Sequence, residues 1–365
     1  MKEFMYKPVV AFHPGEFLYE RLDELGMSQK EFAVRTNKPE KTIVAVIKGR
    51  SSITSEMAVV FEQVLKTPAF MWLNLQREYD EFVARENYKL AMNESIAWAK
   101  LFPIKEMVDK GWIAVKDNWN EKTNELLSFF GIANPKSWQD YFLNHKLNLA
   151  FRISLNHTKN PYAISAWLRK GEIQVAQIET QPYSEEKLKS RLPLLKQLMK
   201  EQPGDFFQKI QALCLEAGVK VVFTPALRNA PINGATRWIG DRPIVQMSCR
   251  YKKNDRFWFS FFHEIGHIIL HGKKEIFLDG YSENQEKEKE ADKFAVNWTF
   301  SIDEENELLK KNPLTEDTIL KFAEKCNTHP AMIIGRLQHK KMIPYYIGQK
   351  FIVSIDLEKQ PLFFV

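Results

Sequence analysis

One apolar stretch, residues 255–270, constrains the fold more than any other part of the sequence. Its aromatic and aliphatic side chains occur on nearly every side of a helix, so the helix must lie in a core. It nevertheless contains His263, Glu264 and His267. Unpaired polar groups are costly inside a core, and a shared metal ion would remove that cost. The stretch therefore predicts a buried helix that carries a metal site.

The spacing of these three residues indicates the chemistry. His263 and His267 are four residues apart and share one helix face, where two imidazoles can hold one zinc ion. Glu264 is rotated by about 100° from His263, so its carboxylate can reach a water molecule beside the metal rather than the metal itself. A hydrolytic zinc site also needs a third protein ligand, and the candidates lie downstream.

The acidic stretch 283–298 supplies those candidates. Its apolar residues form one helical stripe: Ala291, Phe294, Ala295 and Trp298. Glu288 and Glu290 flank that stripe, and either could point inward. A charged helix of this kind is most often a solvated face, but the histidine pair upstream favours one carboxylate as the third ligand. His271 continues the histidine stripe and is expected to support a ligand or simply to pack.

Short strands precede the buried helix. A helix over 206–217 leads to a strand at 219–223, which is rich in β-branched residues. Two further strands, 233–239 and 243–248, are joined by a turn at Gly240. The small residues at 234–235 would let an extended substrate pair with this strand. Together with the helical patterns elsewhere, these strands predict a mainly α fold with a small β-sheet (α+β).

The first 85 residues have the pattern of a five-helix, helix-turn-helix domain. Ser28 and Glu31 predict a capping box for the second helix, and Pro39 opens a third helix that Gly49 ends. Six basic and two acidic residues lie between positions 30 and 50, which concentrates positive charge there. The third helix would enter the major groove. The residues that we expect to contact a double-stranded DNA operator are Gln29, Lys38, Glu40, Lys41, Thr42, Ala45, Lys48 and Arg50.

Short motifs in this region, at characteristic spacing, are similar to the antidote (HigA/VapI-type) branch of the Xre helix-turn-helix family. The resemblance covers about residues 10–82 and implies a dimeric, operator-binding domain. The motifs that carry it are His13-Pro14-Gly15-Glu16, Gly26-Met27-Ser28-Gln29, Ile47-Lys48-Gly49-Arg50, Ile53-Thr54-Ser55-Glu56-Met57-Ala58 and Trp72-Leu73-Asn74-Leu75-Gln76.

A second resemblance covers about residues 206–340. The motifs are Gly234-Ala235, Pro243, Arg250-Tyr251, Phe257-Trp258-Phe259, His263-Glu264-x-x-His267-x-x-Leu270-His271-Gly272 and Glu290-Ala291-Asp292-x-Phe294-Ala295. They resemble the ImmA/IrrE family of zinc metallopeptidases, which implies a zincin-like fold. The resemblance implies Zn²⁺ held by His263, His267 and Glu290, with Glu288 as the alternative. It also implies Glu264 as the general base, and Asp292 is expected to support a ligand histidine.

The remaining segments are less informative. Residues 86–205 contain several amphipathic helices, among them 88–102, and are interpreted as a helical connector or sensor region. Two strand-like runs, 351–355 and 362–365, predict a strand-like tail. The predicted divisions are 1–85 for the helix-turn-helix domain, 86–205 for the connector, 206–345 for the metallopeptidase domain and 346–365 for the tail.

Composition narrows the cellular setting. The net charge of +6 is compatible with nucleic acid without being diagnostic. The three cysteines, at positions 214, 249 and 326, form neither a disulfide framework nor a metal knuckle, which favours a reducing cytoplasm. No run approaches the ~18 apolar residues of a membrane span. We therefore expect a cytoplasmic protein, a homodimer, without a membrane partner.

The function predicted from these features is a DNA-binding transcriptional regulator with a zinc metallopeptidase domain. That domain would cleave a regulatory protein, of the repressor or antitoxin type, or the chain itself. The alternative is an antitoxin-like repressor of a toxin–antitoxin module, whose zinc domain senses a ligand or binds a cognate toxin without turnover. The presence of Glu264 favours the first hypothesis, because a purely structural zinc needs no general base.

Overall fold

The computed structural model describes residues 11–145, 160–272, 277–278, 285–311 and 313–359. The chain divides into two compact units, Met1–Glu94 and Ser95–Val365. The predicted class, mainly α with a small β-sheet, is confirmed. Among the described residues, no helix combines the length and the apolar character needed to cross a lipid bilayer.

The first unit is built from the helices expected of it. Ser28 Oγ accepts a hydrogen bond from the backbone N of Glu31 at the start of the second helix, and Thr54 caps the fourth in the same way. The helices are α1 (Pro14–Glu24), α2 (Gln29–Arg35), α3 (Glu40–Ile47), α4 (Ser55–Leu65) and α5 (Ala69–Ala99).

Two local predictions in this unit need correction. The capping box predicted at Ser28 is half formed, because the Glu31 carboxylate pairs with Arg35 Nη2 at 2.5 Å. A complete capping box occurs instead at α1, between His13 and Glu16. The helix predicted over 88–102 is mostly the continuation of α5, because residues 69–99 contain neither glycine nor proline to end it.

The core of the first unit orients α3. Ile43 and Val46 are fully buried there, beside the packed rings of Phe32 and Phe61. A Cβ on Gly15 would lie 1.9 Å from the backbone O of Val46, so α1 touches the backbone of α3 at this point. The buried face of α3 is thereby fixed, and its opposite face is left to solvent.

The second unit begins with helices that surround a sheet. They are α6 (Ile104–Asp109), α7 (Trp119–Phe130), α8 (Pro135–Trp138), a π-helix (Gln139–His145), α9 (Pro161–Ala176), α10 (Glu185–Glu201) and α11 (Phe206–Glu216). Proline at the first turn opens α8 and α9, where its missing N–H would have no helical partner. Leucines of α10 and phenylalanines of α11 share one core with the sheet.

The sheet contains the predicted hairpin and one additional strand. Its strands are β1 (Lys220–Phe223), β2 (Gly234–Ile239), β3 (Arg242–Met247) and β4 (Phe277–Leu278), in the order β1-β3-β2-β4. β1 pairs parallel with β3, and β2 pairs antiparallel with both β3 and β4. Ala235 and Thr236 face Leu278 and Phe277 in β4. The expectation that a substrate pairs with β2 here is therefore wrong, because β4 occupies that edge.

The predicted buried helix is α12 (Asn254–His271), which packs against β2, β3 and the next helix. Trp258, Phe261, Phe262 and Ile265 are fully buried in the shared core. The helices that follow are α13 (Gln285–Thr299), α14 (Ile302–Leu309), α15 (Glu316–Lys325) and α16 (Pro330–His339). The burial expected for the histidine-bearing helix is confirmed.

The C-terminal segment differs from its prediction as strands. Two 3₁₀ turns, Gln349–Phe351 and Leu357–Lys359, flank a single isolated bridge between Ser354 and Lys253. The backbone of 353–355 is used to hold the loop before α12, since Val353 O accepts from Asn254 N and Ile355 N donates to Lys252 O. The second run, 362–365, lies outside the described residues.

Candidate metal centre

Two imidazoles converge on one face of α12. The Nε2 atoms of His263 and His267 lie 3.0 Å apart, and both side chains are buried. The four-residue spacing produces this contact, because residues i and i+4 lie one above the other on a helix. The pair predicted from the sequence is thus brought together as expected.

Glu288 of α13 completes the cluster. Its Oε2 lies 3.1 Å from His263 Nε2, and its Oε1 lies 3.6 Å from His267 Nε2. Among the residues that the structure describes, these three side chains form the group whose donor atoms lie close enough together to hold one metal ion. Oε1 of Glu288 is buried without a hydrogen-bond partner among the described groups, which is a place for a cation.

Glu290, the ligand implied by the resemblance, lies elsewhere. Its Oε2 contacts His271 Nε2 at 2.9 Å, and its side chain is 57% exposed. The reason is helical phase. Glu288 precedes the buried Ala291 and Ala295 by three and seven residues, and these spacings place it on the same face of the helix as the two alanines. Glu290 is the residue directly before Ala291, so it is rotated by about 100° away from that face. The geometry therefore replaces Glu290 with Glu288 as the candidate third ligand.

Each histidine is oriented by a second contact. Asp292 Oδ1 lies 2.9 Å from His263 Nδ1, so the Nε2 of that ring is left for the cluster. His271 Nδ1 lies 3.0 Å from His267 Nδ1, and Glu290 in turn contacts His271. Asp292 thus lies where the sequence hypothesis expects it, and His271 contacts a candidate ligand rather than joining the cluster.

Close packing brings α13 to α12. A Cβ on Gly266 would lie 3.2 Å from the Phe294 side chain, tighter than ordinary contact, so a glycine between the two histidines lets the helices approach. On the other side, the Phe277 ring of β4 stacks on His267 at 3.9 Å between centroids. Phe277 was not expected from the sequence, because a two-residue strand has no periodic signal.

Glu264 is fully buried and is held by β2. Thr236 Oγ1 lies 2.6 Å from Glu264 Oε2 and donates to it, so the carboxylate has a fixed position. A Cβ on Gly234 would lie 2.6 Å from Glu264 Oε1, so any side chain larger than that of glycine would collide with the carboxylate. Thr236 was missed in the sequence, although its alternation with Gly234 on one strand face is a signal that could have found it.

Protonation of the cluster follows from burial and from its hydrogen bonds. Burial lowers the pKa of His267 to about 4 against the opposing effect of Glu288. Burial also acts to lower the pKa of His263, but its hydrogen bonds to Asp292 and Glu288 prevail and raise that pKa to about 10. For Glu288, burial acts to raise the pKa, but the contact with His263 and the nearby His267 prevail and lower it to about 2.

The donor set fits a zinc ion. Tetrahedral zinc with Zn–N distances of ~2.0–2.1 Å separates its ligand atoms by about 3.3 Å. Two distances in the cluster lie close to that value: 3.0 Å between the Nε2 atoms of His263 and His267, and 3.1 Å from His263 Nε2 to Glu288 Oε2. Two imidazoles and a carboxylate also leave a fourth position, as catalytic sites require.

The expected DNA-contacting residues lie around α3. Glu40, Lys41, Lys48 and Arg50 are exposed, and Gln29, Thr42 and Ala45 are half-buried. Lys38 Nζ pairs with Glu56 at the start of α4, at 2.5 Å, so its charge is partly engaged within the domain. Their contacts with DNA stay a prediction.

Two separate parts of the chain match two different protein families. Residues 18–70 match the family described as Helix-turn-helix, and residues 214–334 match the family described as IrrE N-terminal-like domain. The chain is 36% identical over 66 residues to the uncharacterized HTH-type transcriptional regulator YddM of Escherichia coli (strain K12). That alignment covers 18% of this chain and 70% of YddM.

Solved structures similar to the chain include two antitoxin-type proteins. An addiction module antidote protein of a HigA family from Coxiella burnetii is 32% identical, with a TM-score of 0.22, over 23% of this chain and 91% of that one. The Pseudomonas aeruginosa antitoxin HigA, solved with the higBA promoter, is 29% identical, with a TM-score of 0.21, over 21% of this chain and 86% of that one.

Proposed function

We propose, because the chain belongs to the helix-turn-helix family and its residues 214–334 match the IrrE N-terminal-like domain, that it is a DNA-binding transcription regulator that also hydrolyses a peptide bond. His263, His267 and Glu288 would hold the zinc ion for this reaction. The substrate is a regulatory protein, of the repressor or antitoxin type, or the chain itself.

The observation that carries this proposal is the position of Glu264. Its carboxylate is fully buried, lies one residue from the first candidate ligand, and is held by the Thr236 hydroxyl. A metal with only a structural role needs no such group, since structural zinc sites are closed by their ligands alone. This favours a peptidase over the alternative of an antitoxin-like regulator with a non-catalytic zinc domain.

The chain's own residues have separate tasks. Bound zinc would supply Lewis acidity toward a water molecule and the scissile carbonyl. Glu264 accepts the proton of the water and then delivers it to the leaving amine. Asp292 and His271 keep the two imidazoles in the orientation that turns Nε2 toward the metal.

Metal removal tests this function directly. After dialysis against a zinc chelator, the full chain is expected to stop cleaving its cognate repressor, or itself, and to recover when stoichiometric Zn²⁺ is added. The measurement is zinc content together with product formation followed by mass spectrometry. Cleavage that continues at an unchanged rate without metal, or no cleavage by the zinc-loaded chain of any operon-encoded repressor, antitoxin or copy of itself, would refute the proposed activity.

The first unit supplies DNA binding, for which we propose a homodimer on a double-stranded operator. Lys41→Ala is expected to weaken operator binding several-fold and to reduce the slope of log affinity against log salt by about 2, because the homodimer loses one phosphate contact from each of its two protomers. Lys89→Ala on α5, which removes an exposed lysine outside α2 and α3, is the matched control. Equal affinities and slopes for the two variants in a fluorescence anisotropy titration would remove Lys41 from the contact set.

A further inference from the structure

A basic groove lies at the start of α12, the helix that also carries two of the candidate metal ligands. It is shallow and open to solvent, so it is a surface depression and not an enclosed cavity. Four cationic side chains line it, together with Tyr251 and Ser260, and its lining contains no acidic residue. The four cations are Arg250, Lys252, Lys253 and Arg256. We call these residues and the space between them the basic groove.

The charges of the basic groove are only partly compensated, by Asp356 near Lys252 and by Asp255, which interacts electrostatically with Arg256 and Lys253. Within the described part of the chain, Lys252 is the one of the four with a carboxylate at salt-bridge distance, Asp356 at 3.9 Å. The guanidinium groups of Arg250 and Arg256 both lie over the ring of Tyr251, at 5.1 and 4.5 Å from its centroid. Two like charges gathered on one ring repel each other, and an anion placed between them relieves that repulsion.

The basic groove and Glu264 are connected through two shared elements, α12 and the β2–β3 pair. Its floor includes Asn233 and Met247, which are the chain neighbour and the strand partner of Gly234. Gly234 is the residue whose missing side chain leaves room for Glu264. Arg256 and Ser260 precede Glu264 by eight and four residues on α12, so all three follow one side of the helix. A chain lying in the groove is thereby led toward Glu264.

The loop that forms the basic groove is held in place before any ligand arrives. Cys249 and Lys252 have φ angles of 50° and 48°, a region that non-glycine residues adopt only when their surroundings impose it. The backbone hydrogen bonds from 353–355 and the bond from Arg250 Nη1 to Pro231 O at 3.3 Å restrain this loop. A preorganised cationic surface loses little entropy on binding an anion.

We infer that the basic groove is a substrate subsite, which binds carboxylate side chains of the substrate next to the bond that is cleaved. This rests on the proposed peptidase function and names its substrate class, a peptide segment rich in glutamate and aspartate. Arginine guanidinium groups recognise carboxylates through paired hydrogen bonds, and two of them face the groove. A peptide is favoured over nucleic acid because the groove leads to Glu264 within the unit that carries the metal cluster.

The test separates binding from turnover. Zinc-loaded full chain carrying Glu264→Gln is titrated with a fluorescent peptide rich in Glu and Asp, and with a matched peptide carrying Gln and Asn at those positions. The acidic peptide is expected to bind about tenfold more tightly, and the preference to shrink with added salt. Adding R250Q/R256Q should remove the preference, whereas K105Q/K321Q, which neutralises two exposed lysines on α6 and α15, should leave it intact. Zinc content and circular dichroism verify that each variant is folded.

The outcomes distinguish the two proposals. Equal or undetectable binding of the two peptides overturns the subsite, and so does a preference that survives R250Q/R256Q. Displacement of the acidic peptide by a DNA duplex without an operator, with DNA affinity lost in R250Q/R256Q, would assign the groove to nucleic acid and overturn it as well. Cleavage of both peptides by the wild-type chain at equal rates also counts against the subsite. If the wild type cleaves neither peptide while the binding preference holds, the peptidase function fails and the anion-binding groove stands.

Discussion

Glu264→Gln is expected to retain zinc and to lower the rate of substrate cleavage by about 10²–10⁴-fold, the range associated with loss of a general acid–base. Glutamine has nearly the shape of glutamate, and its amide oxygen can still accept the hydrogen bond from Thr236. The buried packing around position 264 is thereby preserved, while the group that accepts the proton of water is removed. Product formation under single-turnover conditions measures the loss, and metal analysis of the same sample measures the zinc.

The matched control for this variant is Glu286→Gln. It makes the same chemical change at an exposed position of α13, outside the cluster. We expect Glu286→Gln to cleave the substrate as fast as the wild type and Glu264→Gln to have lost cleavage. Both variants should contain the same amount of zinc. A Glu264→Gln chain that cleaves as fast as the wild type would exclude Glu264 as the general base, and loss of its zinc would assign it to metal binding instead.

Glu288→Gln is expected to weaken zinc binding by at least about 100-fold. Substitution of a residue that hydrogen-bonds to a metal ligand typically lowers metal affinity by about 10–100-fold. Loss of a ligand itself should therefore lower the affinity by at least that much. Asp292→Asn should fall within it, because Asp292 contacts His263 Nδ1. Glu290→Gln should cost much less, since this exposed carboxylate reaches the cluster only through His271. Competition with a chromophoric zinc chelator orders the three variants.

This series also decides between the two candidate ligands. If Glu290→Gln loses zinc and Glu288→Gln retains it, the ligand implied by the family resemblance is correct and the arrangement of α13 described above does not represent the metal-bound protein. Equal losses in both variants would mean that the two carboxylates share the role. The arrangement described above predicts neither of these results.

Much of the first unit could be predicted from local signals. Capping and helix-breaking residues such as Ser28, Pro39 and Gly49 act within one turn of their own position. The ends of the helices next to them can therefore be located from the sequence. The buried face of α3 followed from the spacing of Ile43 and Val46. The boundary between α5 and the next segment was harder, because a helix continues until something ends it, and residues 69–99 contain no strong breaker.

At the metal centre, the sequence by itself determined the pair of histidines, the adjacent carboxylate and the burial of their helix. All of these depend on a single helix, whose geometry relates residues one and four positions apart. The tertiary structure decided what comes from other elements: the position of Glu288 rather than Glu290 of α13 beside the two histidines, Thr236 and the space at Gly234 from β2, and the ring of Phe277 from β4. Each of these depends on how two elements are rotated and how closely they approach, and that is set by packing, as at Gly266 against Phe294.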